Sequence, residues 1–290
     1  MMKVLLVTIM LAVLGLAGAT AARSSTALRL APAALVCPAP SQPAPVALDL
    51  DYFKGYLSDT GTLIGSAVRW RPSNWLKMSL GVLAMSRLID EEDDVQMWVQ
   101  DHRTAATDRM AGFARCLGDG RYVAPALSAV YCYGRLQDDL RAERTALLGL
   151  ESFALSGALC EGIKLVTHKH RPVSSDLETE KWSGPSLTPS NLSFPSGHSA
   201  TAFAVATVIA SEYGTHRLVP PLAYCAASLC AVSRINDNAH WTSDVLVGSA
   251  VGYLTARAIV GLHGDQSRMR LAILPSLGLG RADLAVSCRF

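Results

Sequence analysis

Charge is scarce in this 290-residue chain. Only 17% of its residues are Asp, Glu, Lys or Arg, and 26 basic against 24 acidic side chains leave a formal net charge of +2. With a pI near 8.2 there is no basic excess to meet a phosphate backbone, so no nucleic-acid partner is expected. The seven cysteines (Cys37, Cys116, Cys132, Cys160, Cys225, Cys230 and Cys288) show no C-x-x-C spacing, which excludes the common zinc and redox motifs. Scattered in this way they read as small apolar core residues, and their odd number leaves at least one unpaired within a monomer. No internal repeat of about 20 to 50 residues is visible, so solenoids and propellers are excluded. The uncharged helical stretches 122–134, 199–211 and 218–233 all fall short of the ~20 apolar residues that a bilayer crossing needs. They read as buried helices of a compact protein.

Hydrophobic residues make up 50% of the chain, and they are unevenly placed. "MMKVLLVTIMLAVLGLAGATAARSS" has one Lys, an apolar run and the small residues Ala19-Thr20-Ala21, the pattern of a cleavable export signal over residues 1–22; an uncleaved anchor helix is the alternative. No Cys follows directly, which argues against a lipoprotein. Residues 23–50 form a Pro/Ala-rich linker, with five prolines between 32 and 45 that forbid a regular helix. The folded domain is expected over 51–264 and a separate tail over 265–290. Within the domain, helical patterns predominate. One follows Pro72 with Ser73 as N-cap, and others cover about 95–117, 122–140, 144–170, 196–213, 217–233 and 242–262. Gly118-Asp119-Gly120 marks a break. The predicted fold class is all-α, a helical bundle. In the tail, alternation at Leu284, Val286, Cys288 and Phe290 has the period of a strand, with a turn available over Gly278 to Asp283, and predicts a small hairpin laid on the bundle.

Three stretches carry chemistry. "PSGH" (Pro195 to His198) opens an apolar helix, where bare backbone N–H groups and the dipole favour an anion. Gly197 lets backbone approach that anion, Ser196 adds a hydroxyl, and His198 follows in the first turn. "KLVTHKHRP" sets Lys164 and Arg171 seven residues apart, on one face if the helix runs on to Pro172, and two cations on one face suit a phosphate. His168 and His170 read as part of a solvated basic helix end. "SRINDNAHWTSD" supplies Arg234 and puts His240 four residues before Asp244, so that a carboxylate can orient an imidazole whose other nitrogen is free to attack.

Taken together, Lys164-x6-Arg171-Pro172, Pro195-Ser196-Gly197-His198 and Ser233-Arg234-x5-His240-x3-Asp244 specify eleven positions, separated by gaps of 22 and 34 residues. This set closely resembles the signature of the type 2 phosphatidic acid phosphatase (PAP2) and vanadium haloperoxidase superfamily, with no departure at any motif position. The resemblance covers roughly residues 120–264 and implies a helical bundle and a phosphatase. Lys164, Arg171, Ser196, Gly197 and Arg234 would hold the phosphate oxygens. His240 would attack phosphorus, Asp244 would orient it, and His198 would protonate the leaving oxygen. The resemblance implies no metal and no cofactor, with vanadate an inhibitor.

The expected activity is therefore hydrolysis of a phosphomonoester or diphosphate, a lipid phosphate by family precedent and apolar composition, through a phosphohistidine. The expected location is the periplasm or cell envelope, with contact to a membrane surface. The alternatives are a vanadate-dependent haloperoxidase, a non-specific soluble acid phosphatase, and an inactive binding module, which would leave the intact set of site residues unexplained. "DLDYF" at 49–53 mimics an aspartyl-phosphatase D-x-D, but it lies beside the linker and is followed by Tyr52-Phe53. Glu91, Glu92, Asp93 and Asp94 read as a solvated connection. The loop 173–192, with its lone Trp182, reads as a substrate lid or a surface connection.

Overall fold

The computed structural model describes residues 72–174, 182–186, 192–265, 270–278 and 281–289. The export signal, the linker, the D-x-D mimic, the start of the domain near residue 51 and much of the 173–192 loop lie outside them. Seven α-helices are described: α1 (Pro72–Asp101), α2 (Ala105–Ala114), α3 (Gly120–Gln137), α4 (Leu140–Thr167), α5 (Gly197–Glu212), α6 (Val219–Asn236) and α7 (Thr242–Asp265). A short 3₁₀ turn, Arg115–Gly118, joins α2 to α3, and a second covers Pro172–Ser174. The expected all-α bundle is what the chain forms.

Local chemistry sets the helix boundaries. α1 already includes Pro72, so Ser73 lies inside the helix and is not its cap. The stretch expected as one helix over about 95–117 is broken, because Thr104 ends the connection with a capping box, exchanging bonds with Thr107. Asp119 accepts from the Arg121 N–H to start α3, and Asp139 accepts from Arg141 and Ala142 to start α4. Asp138, at φ 53°, closes the tight turn between those two helices.

α5 is the central element, packed against α4, α6 and α7. Its contact with α7 is unusually close. A Cβ at Gly248 would collide with the Ser196 carbonyl, and one at Gly252 with the Ala200 carbonyl. These two glycines, one turn apart, let α7 lie directly against the first turn of α5. Val208, Ala204, Leu148, Ala256 and Ile259 fill the core beneath. α1 joins through apolar contacts of Met85, Ile89 and Val99 and through polar groups: Gln96 and Gln100 donate to the Ile235 carbonyl, among the last of α6.

The tail forms an antiparallel hairpin of β1 (Arg270–Gly278) and β2 (Arg281–Arg289), in a register that pairs Gly278 with Arg281 and Arg270 with Arg289. The strands thus extend further into the expected Gly278–Asp283 turn than the alternation suggested. Cys160 and Cys230 are buried, whereas Cys132 and Cys225 are exposed, so the core reading holds for only part of the set. Among the described residues, two helices are long and apolar enough to cross a membrane by length and composition: Leu140–Thr167 and Thr242–His263, with mean hydropathy 1.4 and 1.6. Neither coincides with the uncharged stretches singled out in the sequence, because their few charged residues lie near their ends or turn inward.

Candidate active site

The first turns of α5 and α7 meet, and the ends of α4 and α6 close around them. The Ser196 N–H donates to the Asp244 carbonyl at 2.9 Å, fastening the "PSGH" turn to α7. Ser196 is fully buried, and its oxygen caps α5, accepting from the Ser199 N–H. The residue acts first as the helix cap and only second as a hydroxyl for a ligand. The ammonium of Lys164 reaches the same turn, 3.7 Å from where a Cβ on Gly197 would stand, and is paired with Glu161 at 2.6 Å.

The helix expected to run to Arg171 ends at Thr167 instead. His168 takes the left-handed conformation at φ 45° and its N–H bonds the Lys164 carbonyl. Lys164 and Arg171 therefore do not share a helical face, and the chain turns so that Arg171 comes near His240 and Arg234. The turn is forced by what lies between. Lys169 is driven inward to full burial, and His168 is buried with it instead of being solvated, while His170 bonds the Ser183 hydroxyl.

Arg234, near the end of α6, is mostly buried and pairs with Asp237 at 2.8 Å. Its Nε has no hydrogen-bond partner. A buried, unanswered guanidinium N–H is a standing demand for an acceptor.

His240 is buried beside this guanidinium, and its backbone N–H reaches the Arg234 carbonyl at 3.3 Å. Its Nδ1 lies 2.8 Å from the Ser193 carbonyl oxygen. A carbonyl can only accept, so Nδ1 carries the proton and Nε2 keeps its lone pair. The Asp244 carboxylate is 3.7 Å from Nδ1, beyond hydrogen-bond range. Its Oδ2 is already taken by the Ser193 hydroxyl at 2.5 Å and the Trp241 N–H at 2.9 Å. Asp244 holds the third position of α7 and reaches back to the residue before the helix, as a capping carboxylate does. The expected Asp244–His240 hydrogen bond is thus replaced by Ser193, which holds both residues.

Burial pushes the His240 imidazole toward its neutral form, with Arg171 and Arg234 acting in the same direction and Asp244 opposing them. Burial, followed by Arg234 and His240, lowers His198 to about 4, with Asp119 opposing. Asp119, held down to about 2 by its hydrogen bonds with Arg121, is thus a fixed negative charge near His198. All eight residues expected at the site meet at this junction. Four more were missed: Ser193, Lys169, Glu92 and Asp119. Glu92 in particular is not on a solvated connection. It lies within α1, fully buried, and pairs with Lys169 at 2.9 Å. Only Asp119 carried a sequence signal, an Asp between glycines at a helix start. Among the described residues no group of three His, Cys, Asp or Glu side chains could hold a metal ion.

Residues 145–268, which contain every one of the eight expected residues, match the family model of the PAP2 superfamily. This stretch of the chain resembles a PAP2 domain. Over 63 residues the chain is 54% identical to a lipid A 1-phosphatase of Porphyromonas gingivalis, covering 21% of this chain and 14% of that protein. Over 86 residues it is 36% identical to a decaprenylphosphoryl-5-phosphoribose phosphatase of Mycobacterium tuberculosis, covering 29% of this chain and 44% of that protein. The chain therefore spans less than half the length of either curated relative. Two solved structures are similar. A transmembrane PAP2-type phosphatidylglycerolphosphate phosphatase from Bacillus subtilis has a TM-score of 0.48 and 18% identity, over 76% of this chain and 98% of that one. Aquifex aeolicus LpxE has a TM-score of 0.46 and 23% identity, over 59% and 93%. Glu92 and Asp119 lie before the matched PAP2 segment.

Proposed function

We propose that the chain is a phosphatase that removes phosphate from a phosphomonoester or diphosphate of a lipid, through a phosphohistidine on His240. The observation that carries this reading is the fixed tautomer of His240, with Nδ1–H held by the Ser193 carbonyl beside the cations Arg171 and Arg234. Attack by Nε2 on phosphorus forms the N–P bond and breaks the P–O bond, and the leaving oxygen takes a proton from His198. Water then attacks phosphorus, gives its proton to His198, and releases phosphate and neutral His240. Lys164, Arg171 and Arg234, with the N–H groups at the start of α5, would hold the phosphoryl oxygens, which is where this class of reaction needs charge. Resting alone, His198 is neutral at pH 7. A phosphate dianion seated among the cations offsets their charge and raises its proton affinity, so the acid is armed by substrate.

The lipid preference is supported by what α1 and its neighbours expose. α1 buries Glu92 and Gln96 and exposes Leu83, Met97 and Trp98, while α2 exposes Phe113 and α3 exposes Leu136. Carboxylate inward and indole outward suits an apolar surrounding, and contact with a membrane would bring a lipid phosphate to the site. Both curated relatives are named for lipid-linked phosphates. The apolar segment 1–22 supports an exported, cell-envelope location.

The test is phosphate release by the full chain in detergent, over lipid monophosphates, lipid diphosphates and soluble phosphomonoesters. Release from the lipid substrates, its loss in His240→Ala, and labelled phosphate trapped on wild type but not on that variant are expected. Release from no substrate would overturn the reading.

A further inference from the structure

Lys169 lies within the first motif but at none of its specified positions, yet its ammonium is sealed inside the protein at 0% exposure. Its three N–H groups are matched one for one: Glu92 Oε2 at 2.9 Å, Ser243 Oγ at 2.8 Å and Asp244 Oδ1 at 2.9 Å. The Ser243 hydroxyl in turn donates to Glu92 Oε2. Trp182, Trp241 and Phe194 surround the cation, with ring centroids 5.0, 5.5 and 5.9 Å away. A charge this deep is retained only with full pairing, and removing either partner leaves the other uncompensated. The cluster also draws on three distant segments. Glu92 comes from α1, Lys169 from the turn after α4, and Ser243 and Asp244 from the start of α7. The segment around Trp182, expected as a lid or surface connection, is instead bridged to Lys169 and packed on Phe194.

We propose that Lys169 and Glu92 are positioning residues of the active site: together they lock the Asp244 carboxylate and fix the charge that His240 experiences from behind it. The proposal rests on His240 being the nucleophile. Asp244 Oδ2 is tied to Ser193 and Trp241, so Oδ1 and Lys169 determine how the carboxylate plane lies. Lys169 and Glu92 sum to zero charge, so the ring experiences Asp244 with its full negative charge and no net addition. The other charged or titratable groups facing the ring are Arg234 from α6, His198 from α5 and Arg171 after α4, and the substitutions below leave all of them in place.

The test is the titration of His240 in the full-length protein labelled with carbon-13 at histidine Cε1, its resonance assigned by its loss in His240→Ala. Lys169→Met leaves an extra negative charge and is expected to raise the His240 midpoint, by on the order of one pH unit. Glu92→Gln leaves an extra positive charge and is expected to lower it. The double variant restores neutrality and is expected to bring the midpoint back toward wild type. Opposite shifts that cancel support the proposal, because a merely structural role does not reverse sign with charge. Equal-signed shifts, or none, overturn it. If Lys169→Met does not fold, the near-isosteric Glu92→Gln decides alone, and a midpoint that stays or rises overturns the proposal. The readout needs no substrate, so absence of phosphate release would remove the functional reading without touching this result.

Discussion

The Nδ1 of His240 is bonded to the Ser193 carbonyl at 2.8 Å and stands 3.7 Å from the Asp244 carboxylate. The residue that fixes the tautomer is therefore a backbone group, and the carboxylate acts through space. This separates two roles that a triad usually merges.

Asp244→Asn should leave the His240 tautomer unchanged, because the Ser193 carbonyl remains. It should still lower kcat by about 100-fold, since the positive imidazole ring of the proposed phosphohistidine would lose its counter-charge. Stability should fall as well. An amide must turn its NH₂ toward either Lys169 or the Trp241 N–H, both donors, and a broken buried pair costs about 3 kcal/mol. Steady-state kinetics and thermal unfolding check both parts, and an unchanged unfolding midpoint would count against the buried pairing.

The pH dependence should differ between the free and the occupied enzyme. His240 must be neutral, and its lowered proton affinity keeps it so at pH 7 and some way below the ordinary histidine range. In the proposed mechanism His198 must be protonated, and in the empty site it holds its proton only below about pH 4. The alkaline limb of kcat/KM, which reports the free enzyme, should therefore begin at acidic pH. That of kcat, which reports the phosphate-loaded site, should lie at higher pH. Coincident alkaline limbs would show that bound phosphate does not charge His198.

Gly248→Ala should disrupt the site more than its size suggests. The added methyl meets the Ser196 carbonyl, in the turn that carries Gly197 and His198, so α5 must shift away from α7. The expected loss of stability is about 1–3 kcal/mol. Activity should fall further than in Gly252→Ala, whose methyl meets Ala200, one turn deeper into α5. Equal activity losses in the two variants would mean that the position of the "PSGH" turn is not what Gly248 protects.

The bundle, and the eight candidate residues that the fold brings together, were legible because they rest on local rules: helical periodicity, capping residues, and cations beside a helix start. What the sequence hid was tertiary. Nothing within ten residues of Glu92 distinguishes it from Glu91 or Asp94, which are exposed, because its partner Lys169 lies 77 positions away. Lys164 and Arg171 were placed on one helix face by a spacing that suits a helix equally well. The helix stops at Thr167, where His168 turns left-handed and Lys169 enters the core. Ser193 carries no motif, and its main role belongs to a carbonyl, which every residue has.

The demand for an anion can be read directly. Lys164, Arg171 and Arg234 gather at one place, and the buried Nε of Arg234 has no acceptor. Vanadate should satisfy that demand as a five-coordinate imitation of phosphoryl transfer, inhibiting at concentrations below KM and raising the unfolding midpoint. Turnover should need no added metal and survive EDTA. Arg234→Gln should weaken vanadate binding by about 10- to 100-fold, because it removes a charge-assisted donor, while leaving the fold intact. The same reagent separates the two branches of the superfamily. A haloperoxidase loaded with vanadate and given peroxide would oxidise bromide or chloride, whereas the phosphatase reading expects phosphate release and only its inhibition. Halide oxidation by the vanadate-loaded protein, with no phosphate released from any substrate tried, would assign this site to the other branch.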